Sequence, residues 1–129
     1  MTGDWVLVPS NEHKWREAQR ILGRELERVT LDLPELQVAT TREVALEKAK
    51  EAFAVLRRPV IVEDAGLEFA ALGGFPGPFI KFWEKLGGLE SICRALDGGA
   101  DRRAVAVCAL GVCTAAGAFV VEGRVEGLI

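Results

Sequence analysis

A four-residue apolar run, Pro59-Val60-Ile61-Val62, leads directly into two adjacent carboxylates, Glu63 and Asp64. No other stretch constrains the fold as much. A short β-branched run of this kind predicts a buried strand, with the two acids where it ends. A second strand is predicted over residues 67–72. A glycine- and proline-rich loop follows, Gly73-Gly74-Phe75-Pro76-Gly77-Pro78, and then a helix carrying Lys81, with Pro78 suited to its first turn. Acids at a strand end, a backbone-rich loop and a helix start with a lysine together offer a site for metal and phosphate. The same pieces also make ordinary turns, and this stretch alone does not separate the two readings.

At 129 residues, the chain is expected to form one domain, residues 1–129. Half of it is hydrophobic and 27% is charged, a soluble globular profile. No apolar run approaches the ~20 residues of a membrane helix, and the amino terminus does not read as a signal peptide. The formal charge of −3 gives no basic field for nucleic acid. Cys93, Cys108 and Cys113 are odd in number and lack CxxC spacing, which fits reduced thiols in a cytoplasmic protein. His13 is the only histidine, so His/Cys zinc sites and a Ser-His-Asp triad are poorly supported. A metal here is expected to be a hard ion held by carboxylates, with Mg2+ the first candidate.

Taken in order, Trp5-Val6-Leu7-Val8 reads as a first strand, and Ser10 or Asn11 as the cap of a helix. In that helix Trp15, Ala18, Leu22 and Leu26 share a face, while Asn11, Lys14 and Glu17 lie on a neighbouring stripe. A helix start after a strand suits an anion; a solvated face is the alternative. Residues 28–31 read as a second strand and Asp32-Leu33-Pro34-Glu35 as a turn. Thr40-Thr41-Arg42-Glu43 matches the capping box. The helix it opens places Leu46, Ala49, Phe53 and Leu56 on one face, with Lys48 at its edge between Ala45 and Ala52. Most such lysines extend to water, yet small neighbours leave room for one that points at phosphate. Beyond Pro78, Phe79, Phe82 or Trp83, and Leu86 are predicted to face inward, with Gly87-Gly88 ending the helix. A further short helix is expected through Leu89, Ile92, Cys93 and Leu96. Two strands joined by a turn at Ala115-Ala116-Gly117 close the chain.

Several of these strings recur together in one known family. Pro9-Ser10-Asn11-Glu12-His13-Lys14-Trp15-Arg16-Glu17 resembles that family's Thr-Gly-Asn-x-x-Lys-x-x-Glu. Asp32-Leu33-Pro34-Glu35, Leu46-Glu47-Lys48-Ala49-Lys50 and Val62-Glu63-Asp64-Ala65-Gly66-Leu67 follow in the family's order. So do Ala71-Leu72-Gly73-Gly74-Phe75-Pro76-Gly77-Pro78-Phe79-Ile80-Lys81, Asp101-Arg102-Arg103-Ala104 and Glu122-Gly123-Arg124-Val125-Glu126-Gly127. On these strings the chain resembles the inosine triphosphate pyrophosphatase family, which hydrolyses deaminated purine nucleoside triphosphates to monophosphate and pyrophosphate.

The resemblance implies an α/β fold: an elongated, mixed, twisted sheet flanked by helices, with the site in a cleft at the strands' carboxyl ends. It implies Glu35 and Asp64 as Mg2+ ligands, and Asp64 as proton acceptor for the attacking water. Ser10, Asn11, Lys14, Lys48, Ala65 and Lys81 fall at substrate-contacting positions. A homodimer is also implied. Two hydroxyls are missing relative to the family pattern, because Pro9 and Ala65 stand where relatives carry hydroxyl residues. The family's C-terminal third, with its base-reading strings, has no counterpart here, so base preference does not carry over. Two alternatives to an active enzyme stand beside it: an impaired nucleotide-binding module or a remnant completed by a second copy at the open strand edge, and a fragment of a longer chain.

Overall fold

Short β-branched runs alternate with stretches of helical period, and that alternation builds a layered α/β structure. The computed structural model describes residues 5–9, 11–33, 40–99 and 101–129. The elements in order are β1 (Val6–Val8), α1 (Glu12–Leu22), β2 (Glu27–Arg28), α2 (Thr41–Leu56), β3 (Val60–Phe69), a 3-10 turn (Ala70–Leu72), β4 (Pro76–Gly77), α3 (Ile80–Ala95), β5 (Arg103–Thr114) and β6 (Gly117–Leu128). The strands form one open mixed sheet in the order β2-β1-β3-β5-β6, with β4 also paired to β3. β1 runs parallel to β2 and β3, while β3, β5 and β6 form an antiparallel meander. The expected α/β class, with helices flanking a mixed sheet, is what the chain adopts.

The principal correction concerns β3. The strand predicted to stop at Glu63 and the one predicted over residues 67–72 are a single ten-residue strand, Val60–Phe69. Its full length pairs with β5, from Val60 opposite Cys113 to Phe69 opposite Ala104. The two carboxylates therefore sit in mid-strand. Successive side chains of a strand point to opposite faces, so Asp64 falls on the face that also presents Val60, Val62 and Gly66, and Glu63 on the other. The predicted second strand shrinks to Glu27–Arg28.

Helix α2 covers one face. Ala45, Ala49 and Ala52 are fully buried beneath it, and these small residues let the helix approach closely. The sheet answers in kind at Gly111, where a Cβ would collide with the Ala45 carbonyl oxygen. Ala49 and Ala52 then pack with Val8, Val60, Val62 and Cys113 in one cluster. Burying valines such as Val60 and Val62 contributes about 1.5–3 kcal/mol each. The helix begins as predicted. Thr40 caps it by accepting from the Glu43 N–H at 3.1 Å, and its hydroxyl donates to the Glu43 carboxylate at 2.8 Å.

Among the described residues, helices cover the other face only at its ends. At one end Ile92 of α3 and Leu96 just after it pack with Phe69 and Ala104. Trp83 packs edge-on against Phe69 and donates to the Ser91 hydroxyl. The expected inward set of α3 is only partly right. Trp83 is half-buried, but Leu86 is 88% exposed and Phe82 and Leu89 are exposed too. Gly88, at φ 76° and ψ 167°, breaks α3 where the Gly87-Gly88 pair predicts a stop. At the other end α1 buries none of its own residues. Leu26 lies beyond that helix but is buried, held by its N–H donating to Gln19 and by its carbonyl accepting from Trp15 Nε1.

Candidate functional site

A gap in the sheet defines the site. On one side of β3, β1 pairs with Val60, Ile61 and Val62, and β4 pairs with Leu67 and Glu68. Residues 63–66 have no partner strand there among the described residues. The backbone groups of a strand alternate in direction. Since the Pro59 carbonyl accepts from Val6 N–H of β1, the Glu63 and Ala65 peptide groups also face this side. The chain leaves β1 at Pro9 beside the same gap, and α1 starts there with Asn11 as its cap.

Three lysines from three helices reach this gap. The Asn11 side chain accepts from the Lys14 backbone N–H at 3.0 Å, which fixes the first turn of α1 with Lys14 facing the sheet. The Lys14 ammonium pairs with the Glu63 carboxylate at 2.5 Å. From the opposite face, Lys48 of α2 donates to the Glu63 carbonyl at 3.0 Å and lies 3.8 Å from the Asp64 carboxylate. Ala45 and Ala52 leave it that path, so Lys48 turns inward. Lys81, in the first turn of α3, lies 3.6 Å from the same carboxylate oxygen. Asp64 is 3% exposed. A carboxylate taken so far from water holds its charge only with nearby cations, and two of the three lysines supply them.

The described structure thus brings Lys14, Lys48, Asp64 and Lys81 together and places Asn11 as the element that orients Lys14. Ala65 is the next residue along the gap, exposed on the Glu63 face. Ser10 and Glu35 lie outside the described residues. Sequence reasoning paired Glu63 with Asp64 but gave it no role of its own, although its carboxylate holds Lys14 and its carbonyl holds Lys48. The signal was available: two adjacent acids inside one strand must face opposite ways.

Beside the gap, on the Glu63 face, lies a cleft of about 400 Å3 under α1. Its walls are mostly apolar, with Ile21, Leu22, Ile61 and Leu110 among them, and Lys14, Glu17 and Glu63 are its charged lining. Cys108 is in the same cleft. The residue as a whole is exposed, but partial desolvation in the cleft, and then the Glu63 carboxylate, push its thiol above the usual range. Far from the gap, hydrogen bonds from the Arg103 side chain and backbone hold the surface carboxyl of Asp101 down at about 2. Among the described residues no three His, Cys, Asp or Glu side chains converge as a metal cluster. Magnesium does not require one, since it usually keeps waters and takes one or two carboxylates alongside substrate phosphates.

A buried carboxylate flanked by lysines, at a break in the sheet where a helix begins, is an arrangement that can receive a polyanion. Comparisons with known proteins show the family. The Ham1 family profile matches residues 5–129, and the chain belongs to this family. It is 44% identical over 131 aligned positions to an inosine triphosphate pyrophosphatase of Batrachochytrium dendrobatidis, covering 96% of this chain and 67% of that protein. It is 41% identical to a dITP/XTP pyrophosphatase of Methanopyrus kandleri, covering 96% and 68%. Among solved structures, a HAM1 protein from Coxiella burnetii superposes with a TM-score of 0.85 at 25% identity, covering all of this chain and 73% of that one. The chain therefore spans about two thirds of the length of the curated relatives it matches.

Proposed function

We propose that this chain is a nucleoside triphosphate pyrophosphatase that acts on purine nucleotides of the inosine or xanthosine type and yields nucleoside monophosphate and pyrophosphate. The observation that carries the reading is the convergence of Lys14, Lys48 and Lys81 on the Glu63-Asp64 gap. A triphosphate and its leaving pyrophosphate carry several negative charges, and fixed cations in a partly dry site stabilise charge far better than cations in water. The inosine triphosphate and dITP/XTP pyrophosphatases to which the chain is similar support the same chemistry.

In this reading the triphosphate lies along the gap, with the lysine ammonium groups and the N-terminus of α1 facing its oxygens. Lys14 exchanges some of its pairing with Glu63 for phosphate. Asp64 accepts a proton from a water as the water's oxygen forms a bond to the α-phosphorus. The bond from that phosphorus to the bridging oxygen breaks, and its electron pair leaves with pyrophosphate. Asp64 offers a hard oxygen donor suited to Mg2+, with Glu35 as the second ligand that the family resemblance implies. When bound, the ion supplies further offset of phosphate charge.

Pyrophosphate release, measured across ITP, XTP, dITP and the ordinary triphosphates with Mg2+, tests the reading. Release from at least one of them is expected, with pyrophosphate rather than orthophosphate as product. A chain that turns over none of them is not this enzyme.

A second reading is favoured by β6, whose outer edge is unpaired among the described residues and whose Phe119, Val121, Val125 and Leu128 are exposed. Here the chain is a nucleotide-binding module completed by a second copy at that edge. Sedimentation at low concentration separates the two: the module predicts a dimer that binds nucleotide without turnover.

A further inference from the structure

Thr41 is the first residue of α2, directly after the capping Thr40. Only 2% exposed, its side chain keeps a hydroxyl that has no hydrogen-bond partner among the described residues. Buried hydroxyls are normally paired, so an orphan calls for an explanation. Its position supplies one. The hydroxyl lies directly over Gly66, where a Cβ would collide with it. Gly66 closes the gap in the sheet, on the same face of β3 as Asp64 and two residues further along. Two residues along a strand span roughly 7 Å, which leaves the Asp64 carboxylate and the hydroxyl over Gly66 within reach of one shared water. Thr41 itself stands at the N-terminus of a sixteen-residue helix, where the first N–H groups lack intrahelical acceptors.

We infer that the Thr41 hydroxyl positions the water that Asp64 activates, an inference that rests on the function proposed above. A water attacking phosphorus must direct a lone pair at it, which requires both of its hydrogens to be held elsewhere. The Asp64 carboxylate takes one and becomes protonated in the step. The Thr41 oxygen, whose lone pairs have no other donor among the described residues, accepts the second. The hydroxyl's own hydrogen is left for a phosphate oxygen. Gly66 is required beneath it because a Cβ there would run into the hydroxyl itself and into the Gly77 backbone. The threonine is kept at the expense of stability, since an orphaned buried hydroxyl is a cost when no substrate is bound.

Activity and stability should therefore move in opposite directions. Thr41→Val preserves shape and removes the hydroxyl. It is expected to raise the urea midpoint while lowering kcat by ~10-fold or more, with KM within about threefold of the parent. Thr41→Ser is expected to keep kcat within about threefold. In an Asp64→Asn background, Thr41→Val should cost little more, because both groups act on one water. The inference is overturned if Thr41→Val leaves kcat unchanged, if it lowers the urea midpoint and raises KM together, or if its effect adds fully to that of Asp64→Asn. Absence of turnover by the parent chain would overturn the proposed function and this role with it. Turnover by the parent that is indifferent to Thr41 overturns this role alone.

Discussion

The two faces of one sheet are built to different rules. Beneath α2 the sheet presents Val60, Val62, Gly111 and Ala109, met by Ala45, Ala49 and Ala52, and every one of these is buried. On the reverse, the same strands present Ala65, Ala106 and Cys108, with Phe119, Val121 and Val125 beyond them, all exposed. The pairing of β3 with β5 is unbroken from Val60 to Phe69, so the strands do not account for the contrast. Helix cover does: α2 lies along one face, whereas α1 and α3 reach only the ends of the other. The closely packed face is where Lys48 and Asp64 are held in fixed relation, and the open face is where Lys14 and the apolar cleft meet solvent. Precision and access are thereby divided between opposite sides of one strand.

Substitutions that disturb one face and spare the other test this division. The largest effect is expected from Gly111→Ala. Its new Cβ runs into the backbone carbonyl of Ala45, which cannot swing aside as a side chain would. Overpacking of this kind costs about 1–3 kcal/mol, and displacing α2 would carry Lys48 away from Asp64. Urea denaturation should show the loss, and equal stability would mean that the two layers are less tightly fitted than described.

Next comes Lys48→Met, which keeps the bulk of the stem but removes the cation. A rise in KM for the preferred nucleotide of about tenfold is expected, the size of one lost charge-assisted contact of roughly 1.4 kcal/mol. An unchanged KM would remove Lys48 from the phosphate site.

The smallest effect belongs to the open face. Val125 is 70% exposed, and Val125→Ser should alter the stability of the single chain by no more than about 0.5 kcal/mol. A larger loss, seen only at concentrations where the chain self-associates, would show that a second copy covers this face.

Much of the fold was legible from residue patterns, and the exceptions share a cause. The capping box at residues 40–43, the stop at Gly88 and the closing pair of strands follow from local chemistry, which sequence carries directly. Glu63 and Asp64 misled because two charges in succession read as a strand end. Only the tertiary structure supplies a lysine for each face, and with those partners the strand runs through. Leu86 and Leu89 misled for the converse reason, since helical spacing identifies a shared face without saying whether anything lies against it. Lys48 could be suspected from Ala45 and Ala52, but its direction depended on the gap between β1 and β4, and that gap is a property of pairing. Thr41 was hidden behind Thr40, because a second threonine at a helix start reads as part of the cap.

The central claim is that Asp64, buried among lysines at a break in the sheet, performs the chemistry. Steady-state pyrophosphate release by the parent chain and by Asp64→Asn, with Mg2+ and the best nucleotide of the panel, tests it most directly. Asparagine keeps the shape but cannot accept the water's proton, so kcat should fall by ~10²-fold or more while the chain stays folded. A variant that releases pyrophosphate at the parent's rate would contradict the account.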